Sequence, residues 1–200
     1  MNILNIISSA RGQESQSNQL GSFVIQKLLE TYPESTVKTR NLTQTLYPHM
    51  EAVQLEAFYA TAENATPRII EAQHFAVDAI AELFEADIIV INTPMYNFGI
   101  PSALKAWIDQ VVKVGKTFSF ENGHLQGLLS SRKAYLAIAS GFIFSEGDYK
   151  NFDYTEPYLK AVLNFIGISH VKTFRIEGTA FEPSETVTAR AFEAVSSHSF

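Results

Sequence analysis

The sequence contains no cysteine, and this absence excludes every kind of site that needs a thiol. Disulfides, thiolate zinc sites and thiol nucleophiles are all excluded. No apolar run approaches the ~20 residues that a membrane-spanning helix needs. The amino terminus lacks the basic start and the small-residue cleavage site of a signal peptide. We therefore expect a cytoplasmic protein without a membrane partner.

Basic residues are also scarce: 15 Lys and Arg stand against 21 Asp and Glu, which gives a net charge of −6. An acidic chain is repelled by polyanions, so nucleic acid is not expected as a partner. The five histidines are scattered without ligand spacing, and no metal site is predicted. The chain carries neither Gly-x-Gly-x-x-Gly nor a P-loop pattern.

Strand-like and helix-like segments alternate along the 200 residues. The predicted strands are residues 3–7, 37–42, 88–91, 134–139 and 171–176. Helices are predicted after Ser17, over residues 67–85, and from Pro101, Pro157 and about Ser184. This alternation predicts an α/β fold, a doubly wound five-stranded parallel sheet in the order 2-1-3-4-5 with helices on both faces. No linker or repeat interrupts it, so residues 1–200 are interpreted as a single domain.

Two segments depart from this alternation. Residues 43–62 are hard to assign, and we expect a loop and a short helix that lie over a pocket or against another subunit. From Gly115 onward, alternating aromatic residues and an Asn122-Gly123 turn signal predict an excursion beyond the sheet.

The third predicted strand leads into a candidate ligand loop. Its apolar run ends at Asn92-Thr93-Pro94, and because proline cannot donate to a sheet, the chain is expected to leave the sheet there. A polar and aromatic loop follows, and Pro101 suits the first turn of the next helix. A buried strand, a loop and an amphipathic helix are typical of ligand-binding units in open α/β sheets, although a plain connection has the same pattern.

Loops after the first and fourth strands are also suggestive. Ser9, Ser15 and Ser17 precede a helix, where hydroxyls and free N–H groups hold phosphate, although serines there also serve as ordinary caps. Ser140-Gly141 would let backbone N–H groups approach a ligand. In the predicted strand order the first, third and fourth strands are neighbours, so we expect their loops to converge on one site.

Several motifs together carry a family resemblance over nearly the full length. The most specific are Ser15-Gln16-Ser17-Asn18-Gln19-Leu20 and Pro94-Met95-Tyr96-Asn97-Phe98, supported by Thr117-Phe118, Glu121-Asn122-Gly123 and Phe165-Ile166-Gly167-Ile168. The chain resembles the flavodoxin-like FMN-dependent NADH azoreductases, also known as NADH:quinone oxidoreductases. The resemblance implies a homodimer in which the partner completes each flavin site.

The resemblance also implies which residues bind FMN. The phosphate would lie on Ser9, Ser15, Gln16 and Ser17. The isoalloxazine would be lined by Pro94, Met95, Tyr96, Asn97 and Phe98, and its pyrimidine end by Ala139, Ser140, Gly141 and Phe142. FMN carries the redox chemistry, with NADH or NADPH as a transient donor and a quinone or azo compound as acceptor in a ping-pong cycle. We expect the backbone N–H of Asn97 near flavin N5 and no catalytic side chain.

The loop after the fourth strand departs from the family pattern. Relatives have small and polar residues where this chain has Phe142 and Phe144. With Phe98, Phe118 and Phe120 these rings are predicted to form a substrate pocket that favours flat, uncharged quinones over anionic azo dyes. The alternative is that Phe142 and Phe144 pack inward as core.

Two other functions fit this sequence less well. A flavodoxin-type electron carrier would be shorter and more acidic. A phosphopantetheine-ester hydrolase needs an activated nucleophile, and no serine lies in Gly-x-Ser-x-Gly or beside an evident base.

Overall fold

The computed structural model describes residues 1–61, 63–121 and 123–200. Its strands are β1 Asn2–Ile7, β2 Thr36–Asn41, β3 Ile88–Pro94, β4 Phe118–Glu121, β5 His124–Gly127, β6 Lys133–Ala139 and β7 His170–Ile176. Its helices are α1 Gln16–Thr31, α2 Ala52–Tyr59, α3 Pro67–Glu85, α4 Ser102–Val111, α5 Glu156–Phe165 and α6 Ser184–Ser196.

The main sheet has the order β2-β1-β3-β6-β7, and every pair in it is parallel. This is the predicted 2-1-3-4-5 order, because β4 and β5 form a separate antiparallel pair. That pair is the predicted excursion. Asn122 of the predicted turn lies outside the described residues.

Helices cover both faces of the sheet, as predicted. Ile88 and Val90 of β3 pack in one core with α1 and α6, whereas Ile89 and Ile91 pack in the other with α3, α4 and α5. Side chains alternate between faces along a strand, so a central strand with two covered faces is apolar at every position. This explains the continuous apolar run in the sequence.

The third strand is longer than predicted. Thr93 and Pro94 still pair with Ile138 and Ala139 of β6, so the strand predicted over residues 88–91 extends to Pro94, where the chain leaves the sheet. Strand N–H groups alternate in direction, and the Met95 N–H donates to Ala139 O of β6 at 2.8 Å. The backbone nitrogen of Pro94 therefore points towards β1, and the regular pairing between β3 and β1 has already ended at Asn92. A proline fits there because no hydrogen bond is lost.

Proline and glycine mark the ends of two helices as predicted, with small shifts. Pro101 is the N-cap of α4 rather than its first residue, and α5 begins at Glu156, one residue before Pro157. Beyond the end of α5, Gly167 has φ of 102°, which is a left-handed conformation. A Cβ on Gly167 would also lie 2.9 Å from the Gly127 carbonyl carbon of β5, so this position needs glycine for space as well.

Residues 43–61 form the predicted loop and short helix; Ala62 lies outside the described residues. The short helix α2 packs against α3, and the Tyr47 ring lies 5.7 Å from that of Phe75. Leu46, Leu55 and Tyr59 are exposed. In the described part of the chain, no helix is long and apolar enough to cross a membrane.

Candidate functional site

The loops that follow β1, β3 and β6 line one cavity of about 150 Å³ at the carboxyl edge of the sheet. Its lining residues are Ser9, Arg11, Ser15, Gln16, Ser17, Pro94, Met95, Tyr96, Ala139, Ser140, Gly141 and Thr179. Most of the residues proposed from sequence to bind a cofactor are thus neighbours. Thr179, from the loop after β7, was missed, because no motif surrounds it.

The start of α1 presents several donors to this cavity. Ser15 is the N-cap, and its Oγ accepts a hydrogen bond from the Asn18 N–H at 3.3 Å. The N–H groups of Gln16 and Ser17 have no partner among the described residues, as is usual in a first helical turn. Ser9, Ser15 and Ser17 are buried, and the Oγ atoms of Ser15 and Ser17 lie 3.0 Å apart. Buried hydroxyls beside free N–H groups are suited to an anion.

The loop after β3 contains a strained turn. Tyr96 and Gly99 exchange two backbone hydrogen bonds, of 2.9 and 3.1 Å, around Asn97 and Phe98. Both central residues have positive φ, 48° and 71°, as in a type I′ hairpin turn. Asparagine tolerates this region, but it costs a residue such as phenylalanine roughly 1–2 kcal/mol. Such strain is found mainly where function requires the conformation.

The strained turn is held from two sides and leaves two donors free. Met95 is bonded to β6 as described above, and the Tyr154 N–H donates to Phe98 O at 3.0 Å. Among the described residues, no hydrogen bond engages the N–H groups of Asn97 and Phe98. Tyr96, at the start of this turn, lines the cavity, whereas Asn97 and Phe98 are not among its lining residues.

The loop after β6 offers fewer donors than its sequence indicates. The Ser140 N–H donates to Ile176 O at 2.9 Å, and its Oγ donates to Phe142 O at 2.8 Å. The N–H groups of Gly141 and Phe142 have no partner within the described chain. Gly141 O accepts from the Ala180 N–H at 2.9 Å, which fixes the loop against the segment after β7.

Aromatic side chains form a continuous surface beside the cavity, here called the aromatic wall and made of Phe98, Phe142, Phe144, Tyr149 and Phe152. Ring centroids lie 5.6 Å apart for Phe98 and Phe152, 6.2 Å for Phe98 and Phe144, and 5.3 Å for Phe142 and Tyr149. Phe144 is only 6% exposed, whereas Phe142 is 40% and Phe98 48% exposed. Phe144 therefore supports the wall from below, and Phe142 and Phe98 form its surface.

The other two proposed pocket residues lie on the hairpin. Phe118 of β4 packs on Phe165 of α5, with ring centroids 4.6 Å apart. Phe120 is 63% exposed. Within the described part of one chain, no aromatic contact joins either ring to the wall. Thr117 fixes the start of β4, because its Oγ donates to Val111 O at 2.6 Å and accepts from the Lys113 N–H at 3.0 Å.

A buried ion cluster behind the wall was not predicted from the sequence. Arg175 of β7 contacts the carboxylates of Asp153, Glu156 and Glu177. Burial alone would raise the pKa of Glu156, but hydrogen bonds from Lys160, Arg175 and Thr173 outweigh it and lower this pKa to about 2. The four charged residues have no regular spacing, so no sequence pattern joins them before the fold does.

A wider groove of about 600 Å³ lies along α1 near the stacked rings of Phe23 and Phe192. Its polar lining is mostly neutral amides, such as Gln13 and Gln26. It lacks the buried hydroxyls and free helical N–H groups of the smaller cavity, which is therefore the better candidate.

Comparisons with known proteins agree with this geometry. The flavodoxin-like fold family matches residues 1–198. The chain is 42% identical over 176 residues to an FMN-dependent NADH:quinone oxidoreductase of Beijerinckia indica subsp. indica, covering 88% of this chain and 87% of the relative. It is 36% identical over 191 residues to the enzyme of that name from Mesorhizobium japonicum, covering 96% and 91%.

A solved structure shows the same likeness. The FMN-dependent NADH-azoreductase from Bacillus anthracis str. Ames Ancestor, in complex with FMN, superposes with a TM-score of 0.89 at 26% identity and covers 98% of this chain and 96% of that one. This chain belongs to the flavodoxin-like fold family and, within it, to the family of FMN-dependent NADH:quinone oxidoreductases. The family resemblance identified from the motifs is confirmed.

Proposed function

We propose that this protein is an FMN-dependent NAD(P)H oxidoreductase that passes two electrons to quinones or aromatic azo compounds by a ping-pong cycle. The convergence of three loops on one cavity carries the proposal: buried hydroxyls at a helix start, a strained turn with free N–H groups, and an aromatic wall. The names of the relatives support it: two are FMN-dependent NADH:quinone oxidoreductases, and one is an FMN-dependent NADH-azoreductase in complex with FMN.

The residues of the cavity fit FMN. Its phosphate would accept hydrogen bonds from the N–H groups of Gln16 and Ser17 and from the hydroxyls of Ser9, Ser15 and Ser17. Unpaired polar groups are costly, and a phosphate would supply the acceptor that the N–H groups of Gln16 and Ser17 lack among the described residues. The strained turn and the Gly141 loop would hold the flavin ring.

The chain itself contributes positioning rather than acid or base catalysis. Bound FMN would supply the two-electron redox chemistry between NAD(P)H and the acceptor. We propose that the Asn97 N–H lies near flavin N5 and that the exposed rings of Phe98 and Phe142 stack on flat acceptors. Neither a carboxylate nor a histidine is among the lining residues described. Orientation of the two substrates in turn on one face is then the main contribution of the protein.

We further propose that the single domain acts as a cytoplasmic homodimer with flavin sites at the interface. A cavity of about 150 Å³ is smaller than the roughly 300–1,000 Å³ of pockets that enclose a cofactor-sized ligand. One chain thus encloses part of FMN only. Exposed Leu55 and Tyr59 of α2 and Ile70 and Val77 of α3 offer apolar surface to a second subunit. Phe120, which is 63% exposed on the hairpin, would reach the site of the partner subunit.

The test is the spectrum and kinetics of the purified protein. We expect noncovalent FMN, a dimeric mass in solution, and parallel double-reciprocal plots for NADH against a quinone. Intersecting lines would indicate a ternary complex instead. A stabilised semiquinone without turnover would favour an electron carrier, and thioester cleavage without flavin would favour a hydrolase.

A further inference from the structure

The Arg175 cluster connects the sheet to the aromatic wall. Arg175 is only 11% exposed, and its Nη1 lies 3.0 Å from Glu177 Oε1. The same Glu177 oxygen accepts hydrogen bonds from the N–H groups of Phe144 and Ser145, at 2.9 and 3.1 Å. The backbone of Phe144, which supports the wall, is therefore held by a carboxylate that Arg175 orients.

The cluster also holds the far end of the same loop. Arg175 Nη2 donates to Asp153, whose other oxygen accepts from the N–H groups of Thr155 and Glu156, at 2.9 and 3.1 Å. Between Asp153 and Thr155 lies Tyr154, the residue whose N–H holds the strained turn through Phe98 O. One guanidinium thus fixes both segments that set the position of the wall.

We propose that Arg175 is a positioning residue that holds the aromatic wall in the orientation needed to stack the electron acceptor. The assignment to an acceptor rests on the function proposed above. A planar guanidinium serves this role because it presents several donors in a fixed geometry, whereas an ammonium is a point charge that cannot bridge the three carboxylates in the same way.

The test compares Arg175→Lys with Arg40→Lys. The control removes a guanidinium from another partly buried Arg–Glu pair, in which Arg40 Nε donates to Glu82 Oε2 at 3.0 Å, and Arg40 lies on β2, at the opposite edge of the sheet from β7. Amide hydrogen exchange is measured on the FMN-free protein, and the KM for a neutral benzoquinone is measured on the FMN-loaded enzyme. Because the exchange measurement needs no activity, it is independent of the proposed reaction.

In Arg175→Lys we expect at least tenfold faster exchange at the amides of Phe144, Ser145 and Tyr154, with α1 unchanged. We expect the quinone KM to rise at least fivefold and kcat to change less than twofold. Glu177→Gln keeps an acceptor oxygen but loses the charge, and should give a smaller change of the same kind even if Arg175→Lys does not fold. Arg40→Lys should match wild type in exchange at these three amides and in the quinone KM.

Unchanged exchange in both cluster variants would overturn the proposal. Faster exchange with a quinone KM within twofold of wild type would also overturn it, because the cluster would then be structural only. A wild-type protein that binds FMN but reduces no quinone would contradict the proposed function instead. The exchange measurement would then still decide whether Arg175 holds the wall.

Discussion

We predict that the close packing of α1 against the sheet requires glycine at position 21. A Cβ at this position would lie 1.6 Å from Asn92 Oδ1 and 2.3 Å from Asn92 Cγ. Asn92 cannot easily yield, because it is 1% exposed and its Nδ2 donates to Asn5 Oδ1 at 2.7 Å. Gly21→Ala must therefore displace either the Asn92 side chain or the helix.

The size of the effect follows from three contributions. Overpacking a close contact costs about 1–3 kcal/mol. Moving Asn92 leaves a buried amide unpaired, at a further cost of about 1–3 kcal/mol. Alanine recovers about 0.8–1.0 kcal/mol of helix propensity relative to glycine. Together these give a net loss of unfolding free energy of about 3 kcal/mol.

Urea unfolding of wild type, Gly21→Ala and Ser22→Ala measures this loss. Ser22→Ala is the control, since it adds alanine at the neighbouring exposed position of α1. Ser17 lies one helical turn before Gly21, so a displaced α1 should also weaken FMN binding. A Gly21→Ala variant within about 0.5 kcal/mol of wild type would refute the steric argument.

A double variant sharpens the test. The three atoms nearest to the added Cβ all belong to the Asn92 side chain. In the Asn92→Ala background the same Gly21→Ala change should therefore be nearly neutral, which gives a large coupling energy between the two sites. Equal costs in the two backgrounds would place the origin of the destabilisation elsewhere.

Three further predictions concern the cofactor, the acceptor and acid stability. Ser17→Ala should weaken FMN binding by about 1–2 kcal/mol in a fluorescence titration, with Ser22→Ala unchanged; equal affinities would place the phosphate elsewhere. Phe142→His should change the kcat/KM ratio of a neutral quinone to an anionic azo dye more than threefold, whereas Phe144→His should mainly lower stability; the reverse pattern would mean that Phe144 contacts the acceptor. The pKa of Glu156 is lowered from 4.5 to about 2, so its stabilisation, of order 3 kcal/mol, is present above about pH 4.5 and lost as pH falls to about 2. The stability difference between wild type and Glu156→Gln in urea should accordingly shrink across that range, and a constant difference would contradict the assignment.

The fold was predictable because its signals are local. A central strand with two covered faces must be apolar at every position, and residues 88–91 are all apolar. The rule that proline breaks sheets predicts that the strand ends near Pro94, but not that Pro94 is itself the last paired residue. Whether Pro94 loses a hydrogen bond depends on which neighbour its nitrogen faces, and that follows only from the observed register with β1 and β6.

The cavity was predictable in part for a different reason. Strand order alone brings the carboxyl ends of β1, β3 and β6 together, so the loops there had to converge. No comparable rule predicts how deeply the side chain of a loop residue is buried. Phe142 and Phe144 are two residues apart, yet one is exposed and the other buried, because Glu177 binds the backbone at Phe144.

The two halves of the candidate site are held by different forces, and this difference bears on how the family could change substrates. The candidate phosphate site at the start of α1 and the strained turn after β3 depend on elements whose positions are set by the core of the sheet. The aromatic wall depends on hydrogen bonds to buried charges, whose strength requires Arg175 and its carboxylates to remain together. Substitutions on the exposed face of the wall, such as at Phe142, leave both supports intact. Under the function proposed above, acceptor preference can therefore vary there without loss of the cofactor site, whereas changes at Phe144 or Arg175 would disturb the support of the wall.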